Sequence, residues 1–375
     1  MEEGENPVEL DSIKLKNSLY YMESFIITCG DLSFEVPRTM IASFNVEKQF
    51  EDMIYPLYYV SMMVPLWVYE KITKDPRNLY VTMHLQYTLV DDVDSAYTGS
   101  PQFYTEIKGK FLAYIPYSTQ PADAEHQDSI SKESKTYNKT YEYDEGVLME
   151  MALYNEAAYK ASFNTNNAVL VGVNPADIMG YLLNVNGIKN VVMDKPDRAT
   201  NFSQFIILPQ SGVKNILRLT DEFKFHNEGS IVFFDLVDSY IVSKKIGCTS
   251  WRNNEHKCVY IMTLSSYSDG MDKFSGIYIN DEEKSTLLAI NEDSFSIQKP
   301  DSSPLLRSQP NMDFLTITTA NGLLNLFTPN KEFQFAVDDL SSKKYNGKYR
   351  IHSLSMIASP KGEYLDPVFT AVFRK

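Results

Sequence analysis

The plainest periodicity in the chain lies at Val81, Met83, Leu85, Tyr87 and Leu89, which alternate with Thr82, His84, Gln86 and Thr88. A period of two puts one set of side chains on a buried sheet face and the other in solvent. The same alternation runs through Phe25, Ile27 and Cys29. It continues through Leu32, Phe34 and Val36, between Gly30-Asp31 and Pro37, and through Ala42, Phe44 and Val46. Residues 107–115 predict a further strand. The first hundred residues therefore read as consecutive short strands, the pattern of a barrel or sandwich. Residues 117–146 break it. They are mostly Ser, Thr, Lys, Asp, Glu and Gln with scattered Tyr, which predicts a long solvated insertion.

Strand pattern resumes over 147–154, and a well-punctuated helix follows. Asn174 suits the N-cap, Pro175 the first helical position, and Asp177 the positive end of the dipole. Ile178/Leu182 and Met179/Leu183 make one apolar face, and Gly187 is placed to end the helix in a left-handed cap. A second helix is predicted over 212–222, with Val213, Ile216, Leu217 and Leu219 inward. Asn227-Glu228-Gly229 reads as a turn before the apolar run 231–234, Asp235 and a strand over 240–243. The middle of the chain is thus mixed α/β.

The last third returns to strands at 259–264, 277–279, 287–290, 314–319 and 333–337, with a connecting loop over 301–310. Two closing strands, 349–357 and 368–374, complete it. In the first of these the apolar phase flips, with Tyr349 and Ile351 on one face and Leu354 and Met356 on the other. A β-bulge near Ser353, or burial on both faces, accounts for that. No tandem repeat of short period is visible.

Composition sharpens the picture. A chain of 375 residues predicts two or three domains and needs no disulfide or metal to stabilise its core. Its 25 Tyr and 21 Phe against 2 Trp favour strands and large protein contacts. A net charge of −14 argues against DNA binding by phosphate neutralisation and against adhesion to anionic membranes. It suits a protein kept soluble before assembly, and equally a channel wall that DNA passes without sticking. Three cysteines (Cys29, Cys248 and Cys258) point to a reducing compartment. Residues 1–10 are acidic with no apolar stretch, so no signal peptide is expected, and no apolar run nears the ~20 residues of a membrane span. Synthesis in a cytoplasm, without stable membrane insertion, is the expectation. The sequons at Asn138 and Asn201 are then expected to stay unmodified.

Most enzyme signatures are missing: no nucleophile elbow, Walker loop, dinucleotide fingerprint or His-Glu-x-x-His. Three constellations remain. Cys248, His256 and Cys258 carry zinc-ligand chemistry, without a Cys-x-x-Cys pair or a fourth ligand, and read better as small apolar residues around a turn. Asp91, Asp92 and Asp94 could offer oxygens to calcium, but read better as a solvated turn after the strand at Val81. Asp235 and Asp238 could do acid–base work in a glycosidase, but read better as strand-end caps bonding backbone amides. The expectation is no catalytic, cofactor-binding or metal residue and no cofactor.

Several stretches in fixed order carry a family resemblance. Asn174-Pro175-Ala176-Asp177-Ile178-Met179 leads through Tyr181-Leu182-Leu183 to Gly187-Ile188. Phe205-Ile206-Ile207-Leu208-Pro209, a short helix and Phe223-Lys224-Phe225-His226-Asn227-Glu228-Gly229 follow. Ile231-Val232-Phe233-Phe234-Asp235 then leads into Asp238-Ser239-Tyr240-Ile241, and Tyr345-Asn346-Gly347-Lys348-Tyr349-Arg350 opens the final hairpin. This order resembles the baseplate-hub proteins of contractile-tailed bacteriophages, over 146–245 and at the C-terminus.

The resemblance implies an α+β, predominantly β chain: two tube-type β-barrel domains with inserted mixed α/β and β domains. The expected division is an arm over 1–17, a first barrel over 18–116, the polar insertion 117–146, a mixed α/β domain over 147–247, a β region over 248–300, and a second barrel over 301–375 completed by strands from the middle of the chain. It also implies a homotrimer in the virion's tail baseplate. Its partners would be the tail-tube, central spike and baseplate wedge proteins, with the genome passing the lumen unbound. The flipped phase at Leu354 and the insertion lie outside the family pattern. A receptor- or glycan-binding tail protein and a tail-associated cell-wall hydrolase are the alternatives.

Overall fold

The computed structural model describes residues 15–74, 76–90, 101–116, 146–197, 201–245, 259–264, 274–281, 284–290, 295–296, 314–319, 323–337 and 347–374. Residues 117–145, the Asp91 trio, the Cys248/His256/Cys258 trio and the loop 301–310 lie outside the described residues.

Eight strands close a barrel. In chain order they are β1 (Leu15–Cys29), β3 (Ile41–Gln49), β4 (Leu57–Pro65), β5 (Leu79–Val90), β6 (Tyr104–Tyr114), β7 (Gly146–Tyr154), β19 (Gly347–Lys361) and β20 (Tyr364–Arg374). Around the barrel the order is β1-β5-β6-β7-β4-β3-β19-β20, and Tyr20↔Leu365 closes the ring back to β1. Every neighbouring pair is antiparallel. The barrel thus reaches well beyond residues 18–116, because β7 and the C-terminal hairpin fill its remaining positions. Closure removes the open sheet edges that the first strands alone would expose. A short strand, β2 (Leu32–Glu35), folds back on β1.

The inward faces are filled. Phe25, Ile27, Phe44, Val60, Met83, Met149 and Phe369 have no exposed surface. The alternation read at Val81 holds through Leu85, but then Tyr87 and Leu89 give way to buried Thr88 and Val90. The switch falls where the registers with both neighbours slip: Glu106 is the extra residue on β6 opposite Leu85 and Gln86, and Glu23 the extra residue on β1 opposite His84 and Leu85. The same device explains the last hairpin. A bulge falls between Ile351 and Ser353, so Tyr349, Ile351, Leu354 and Met356 are all buried.

One helix interrupts what the sequence presents as unbroken strand. α1 (Leu66–Lys74) follows Pro65, buries Val68 and Ile72 four residues apart, and carries Lys71 and Lys74 at its negative end. Its Trp67 stays exposed and meets Phe34 edge-on at 5.9 Å.

The middle of the chain builds the mixed region. It contains α2 (Glu156–Ala161), β8 (Thr165–Val173), α3 (Pro175–Val185), β9 (Val191–Met193), β10 (Phe202–Ser211), α4 (Gly212–Asp221), β11 (Ser230–Phe234) and β12 (Ser239–Ser243). α3 begins as predicted: Asn174 accepts from the Asp177 N–H at 2.9 Å, the Asp177 carboxylate accepts from the Asn174 N–H, and Pro175 is the first helical residue. It ends with Gly187 at φ 69°, where the Ile188 N–H returns to the Leu183 carbonyl. In α4, Val213, Ile216 and Leu219 are buried and Leu217 only partly so. Its first residue is glycine because a Cβ on Gly212 would sit 2.3 Å from the Asn186 amide at the end of α3.

The run 231–234 is apolar throughout because β11 is covered on both sides. Ile231 and Phe233 join the barrel's core, while Val232 and Phe234 join the core beneath α3 and α4.

A second strand ladder continues from the last hairpin. β13 (Val259–Leu264), β14 (Phe274–Asp281), β15 (Lys284–Ile290), β16 (Phe295–Ser296), β17 (Phe314–Thr319) and β18 (Phe333–Val337) run β15-β14-β13-β18 onto β19. β17 pairs with β20, and β16 with β17. The start of β19 therefore pairs with β18, while its remainder pairs with β3 of the barrel.

Candidate functional site

The barrel wall, the mixed region and the segment 323–332 meet around one polar cavity of ≈ 230 Å³. Lys48 lies on β3 in the same inward phase as Phe44 and Val46, and is 2% exposed. A lysine in that position needs an acid, because burying an unpaired ammonium is costly. The acid is Asp235. Its Oδ2 takes the Lys48 Nζ at 2.5 Å, and its Oδ1 accepts the Tyr58 hydroxyl at 2.6 Å and the Leu236 N–H at 2.8 Å. The expected amide bond is there. The ion pair and the phenol were not foreseen, although Lys48 in the phase of Phe44 and Val46 was a usable signal. With both oxygens engaged in this way, Asp235 is a structural bridge between barrel and mixed region.

Asp238 lines the same cavity, and burial, followed by the neighbouring Asp235 charge, raises its pKa. Burial likewise pushes the Tyr58 and Tyr240 phenols well above their ordinary value, with Asp235 adding to both. On the opposite wall, Glu106 of β6 accepts the Asn325 N–H at 2.7 Å. Burial raises its carboxyl to about 7, against the pull of the Asn325 amide and the Lys48 and Lys331 charges. Tyr20 accepts the Leu324 N–H at 2.9 Å. Glu106 and Tyr20 together hold the turn at 323–328, whose Leu323, Leu324, Leu326 and Phe327 complete the barrel's core. Glu106 escaped the sequence reading because nothing local marks a strand glutamate as enclosed.

A second charged cluster clamps the exit from the mixed region. Arg350 and Arg374 sit opposite each other in the β19–β20 register. Arg350 donates to the Ser243 carbonyl and, at 2.9 Å, to the Lys245 carbonyl, while Arg374 reaches the Lys244 carbonyl at 3.2 Å. Arg374 Nε pairs with Glu51 at 2.5 Å. Burial lowers the Arg350 pKa to about 9, helped by the Arg374 charge. Burial pushes Glu51 up, but the His352 hydrogen bond and the Arg374 charge outweigh it and leave Glu51 below its usual value.

The two-stranded sheet β8–β10 presents a different surface. Its inner face buries Phe205 and Ile207. Its outer face exposes Val169, Val171, Ile206 and Leu208, with Val169 directly opposite Ile206. Among the described residues no group of three or more His, Cys, Asp or Glu could hold a metal ion, and no helix is long and apolar enough to cross a membrane.

Residues 10–250 match the family described as Bacteriophage PBS1 gene 109 protein. Among solved structures, the 43 kDa tail protein of prophage MuSo2 from Shewanella oneidensis is similar at 11% identity and TM-score 0.42, over 94% of this chain and 98% of that one. A chain of the lidded Francisella PdpA-VgrG complex is similar at 8% identity and TM-score 0.47, over 96% of this chain and 53% of that one. The tail protein from Neisseria meningitidis MC58 is similar at 9% identity and TM-score 0.39, over 95% and 96%. No curated protein matches the sequence.

Proposed function

This chain belongs to the family of the Bacteriophage PBS1 gene 109 protein, and on that premise we propose that it is a structural, non-catalytic protein of the phage tail, acting as the trimeric hub of the baseplate. Three copies close a ring. Each contributes two tube-type barrels: the eight-stranded barrel, and a second built on the β13–β18 ladder with the shared C-terminal hairpin. Six barrels then continue the sixfold tail tube, the far side receives a threefold central spike, and wedge proteins attach around it. The genome passes the lumen without sequence-specific contacts.

The observation that carries this reading is the filled interior of the closed barrel. Phe25, Phe44, Met83 and Phe369 have no exposed surface in it. A small barrel packed with side chains conducts nothing, so a passage for DNA must run between barrels of several copies. The net charge of −14 would repel the duplex from such a wall. The apolar outer face of β8–β10 offers a contact for a neighbouring copy, since contiguous exposed apolar patches mark interaction surfaces.

Light scattering on the purified chain tests the reading. It expects a particle of three 42.9 kDa subunits that captures the tail-tube and spike proteins of the same phage. A monomer at high concentration that captures neither would refute it.

A further inference from the structure

The cavity at the three-way junction has an unusual balance of groups. Three carboxylates line it (Glu106, Asp235 and Asp238) against two ammonium groups, those of Lys48 and Lys331. Lys48 is engaged by Asp235, and Lys331 donates to the Asn325 carbonyl. Among the described residues neither Glu106 nor Asp238 has a cation within ion-pair distance. Among the described residues, Thr328 Oγ1 is buried on the wall without a hydrogen-bond partner, and Glu106 Oε2 lacks one in direct reach although the Tyr20 hydroxyl and the Leu324 amide act on the same carboxyl. Leaving such atoms unpaired is unfavourable, so their placement on one cavity marks a place for a donor. The wall also carries the aliphatic side chains of Ile107, Val192, Leu236, Val237 and Leu324, beside the Tyr58 and Tyr240 rings and the residues Asn325 and Asn330.

We propose that this cavity binds an alkylammonium group, whose –NH3+ donates to Glu106 Oε2 and Thr328 Oγ1 near the Asp238 carboxylate while its methylenes lie on the aliphatic wall. A single ammonium restores the charge balance of the lining, and its three donors suit a site furnished with acceptors. The aliphatic surface favours an organic cation over a bare ion. The inference does not depend on the hub reading.

Binding is linked to protons through Glu106. The groups facing it are Tyr20 on β1, Lys48 on β3, Tyr58 on β4, Tyr87 on β5 and Tyr240 on β12, with Asp235, Asp238 and Lys331 around the cavity. The phenols are all raised above their ordinary value and stay neutral. Glu106, at about 7, changes charge across neutral pH.

Calorimetric titration of the full chain with n-butylammonium chloride tests this, with n-butanol and sodium chloride as controls. Saturable binding is expected at pH 8 and should be about tenfold weaker at pH 6, following the ionised fraction of Glu106. Neither control should bind. Glu106→Gln should abolish binding, Thr328→Val should weaken it several-fold with the fold intact, and Glu70→Gln on the exposed face of α1 should leave it unchanged. No saturable binding by the wild type at pH 8, or equal binding by Glu106→Gln, would overturn the proposal. Two further probes separate the source of the group. Preferential binding of 1,4-diaminobutane assigns the site to free amines, and preferential binding of Nα-acetyl-lysine methylamide assigns it to a lysine on a partner protein.

Discussion

Lys48 and Asp235, 187 residues apart, form a buried ion pair at 2.5 Å that joins the barrel wall to the mixed α/β region. The chain thus connects two cores with a bond that neither could satisfy alone. Such pairs contribute little net stability compared with apolar replacements, but removing one partner strands the other.

Asp235→Ala is therefore expected to destabilise the protein by about 3–5 kcal/mol, because it leaves Lys48 and Tyr58 buried without their acceptor. The double variant Lys48→Met/Asp235→Leu should recover most of that loss. Urea denaturation of the three proteins measures it, and a double variant as unstable as Asp235→Ala would contradict the assignment.

Glu106 predicts a pH dependence of definite sign. Its carboxyl is raised to about 7 in the folded state, so the fold binds its proton more tightly than the unfolded chain does. Its stabilising contribution is complete below the unfolded pKa of about 4.3, and is lost as pH rises through about 7. Melting curves in amine-free buffer should show stability declining across that window, and Glu106→Gln should flatten the decline. Glu51, held below its ordinary value, contributes oppositely: its share is lost on acidification below the carboxylate range.

The caps of α3 can be tested separately from its packing. Asn174→Ala removes the capping box and should cost about 1 kcal/mol. Gly187→Ala forces a Cβ into φ 69° and should cost about as much. Both changes should lower the melting temperature and leave the assembly state unchanged.

The outer face of β8–β10 separates folding from assembly. Val171→Lys and Ile206→Glu replace exposed side chains, so each should shift stability by no more than about 0.5 kcal/mol. If this face meets a neighbouring copy, light scattering should show the particle falling to a monomer. An unchanged particle would place the subunit contact elsewhere.

Much of the local structure was legible. Asn174, Pro175 and Gly187 each act within one turn of backbone, so their residue types announce the start and end of α3. The run 231–234 was visible as an unbroken apolar stretch, and its burial on both sides in β11 accounts for it. The flipped phase in the last hairpin pointed to a bulge near Ser353, and the bulge lies between Ile351 and Ser353. α1 was missed, since its four-residue spacing of Val68 and Ile72 lies between strongly alternating strands. The bulge at Leu85 was invisible because the alternation of Val81–Leu89 runs on without interruption while the partner strand shifts.

The sequence by itself determined the β-rich class, the capped helix and the inward faces of most strands, because those depend on neighbours within a few residues. Only the tertiary structure decided that the last hairpin closes the same barrel as the first strands, and that Lys48, Glu106 and Asp235 face one cavity. Those outcomes depend on contacts between residues far apart in the chain, such as Tyr20 with Leu365 and Lys48 with Asp235. A strand's own pattern records which of its faces is buried, but not which strand or which charge it is buried against.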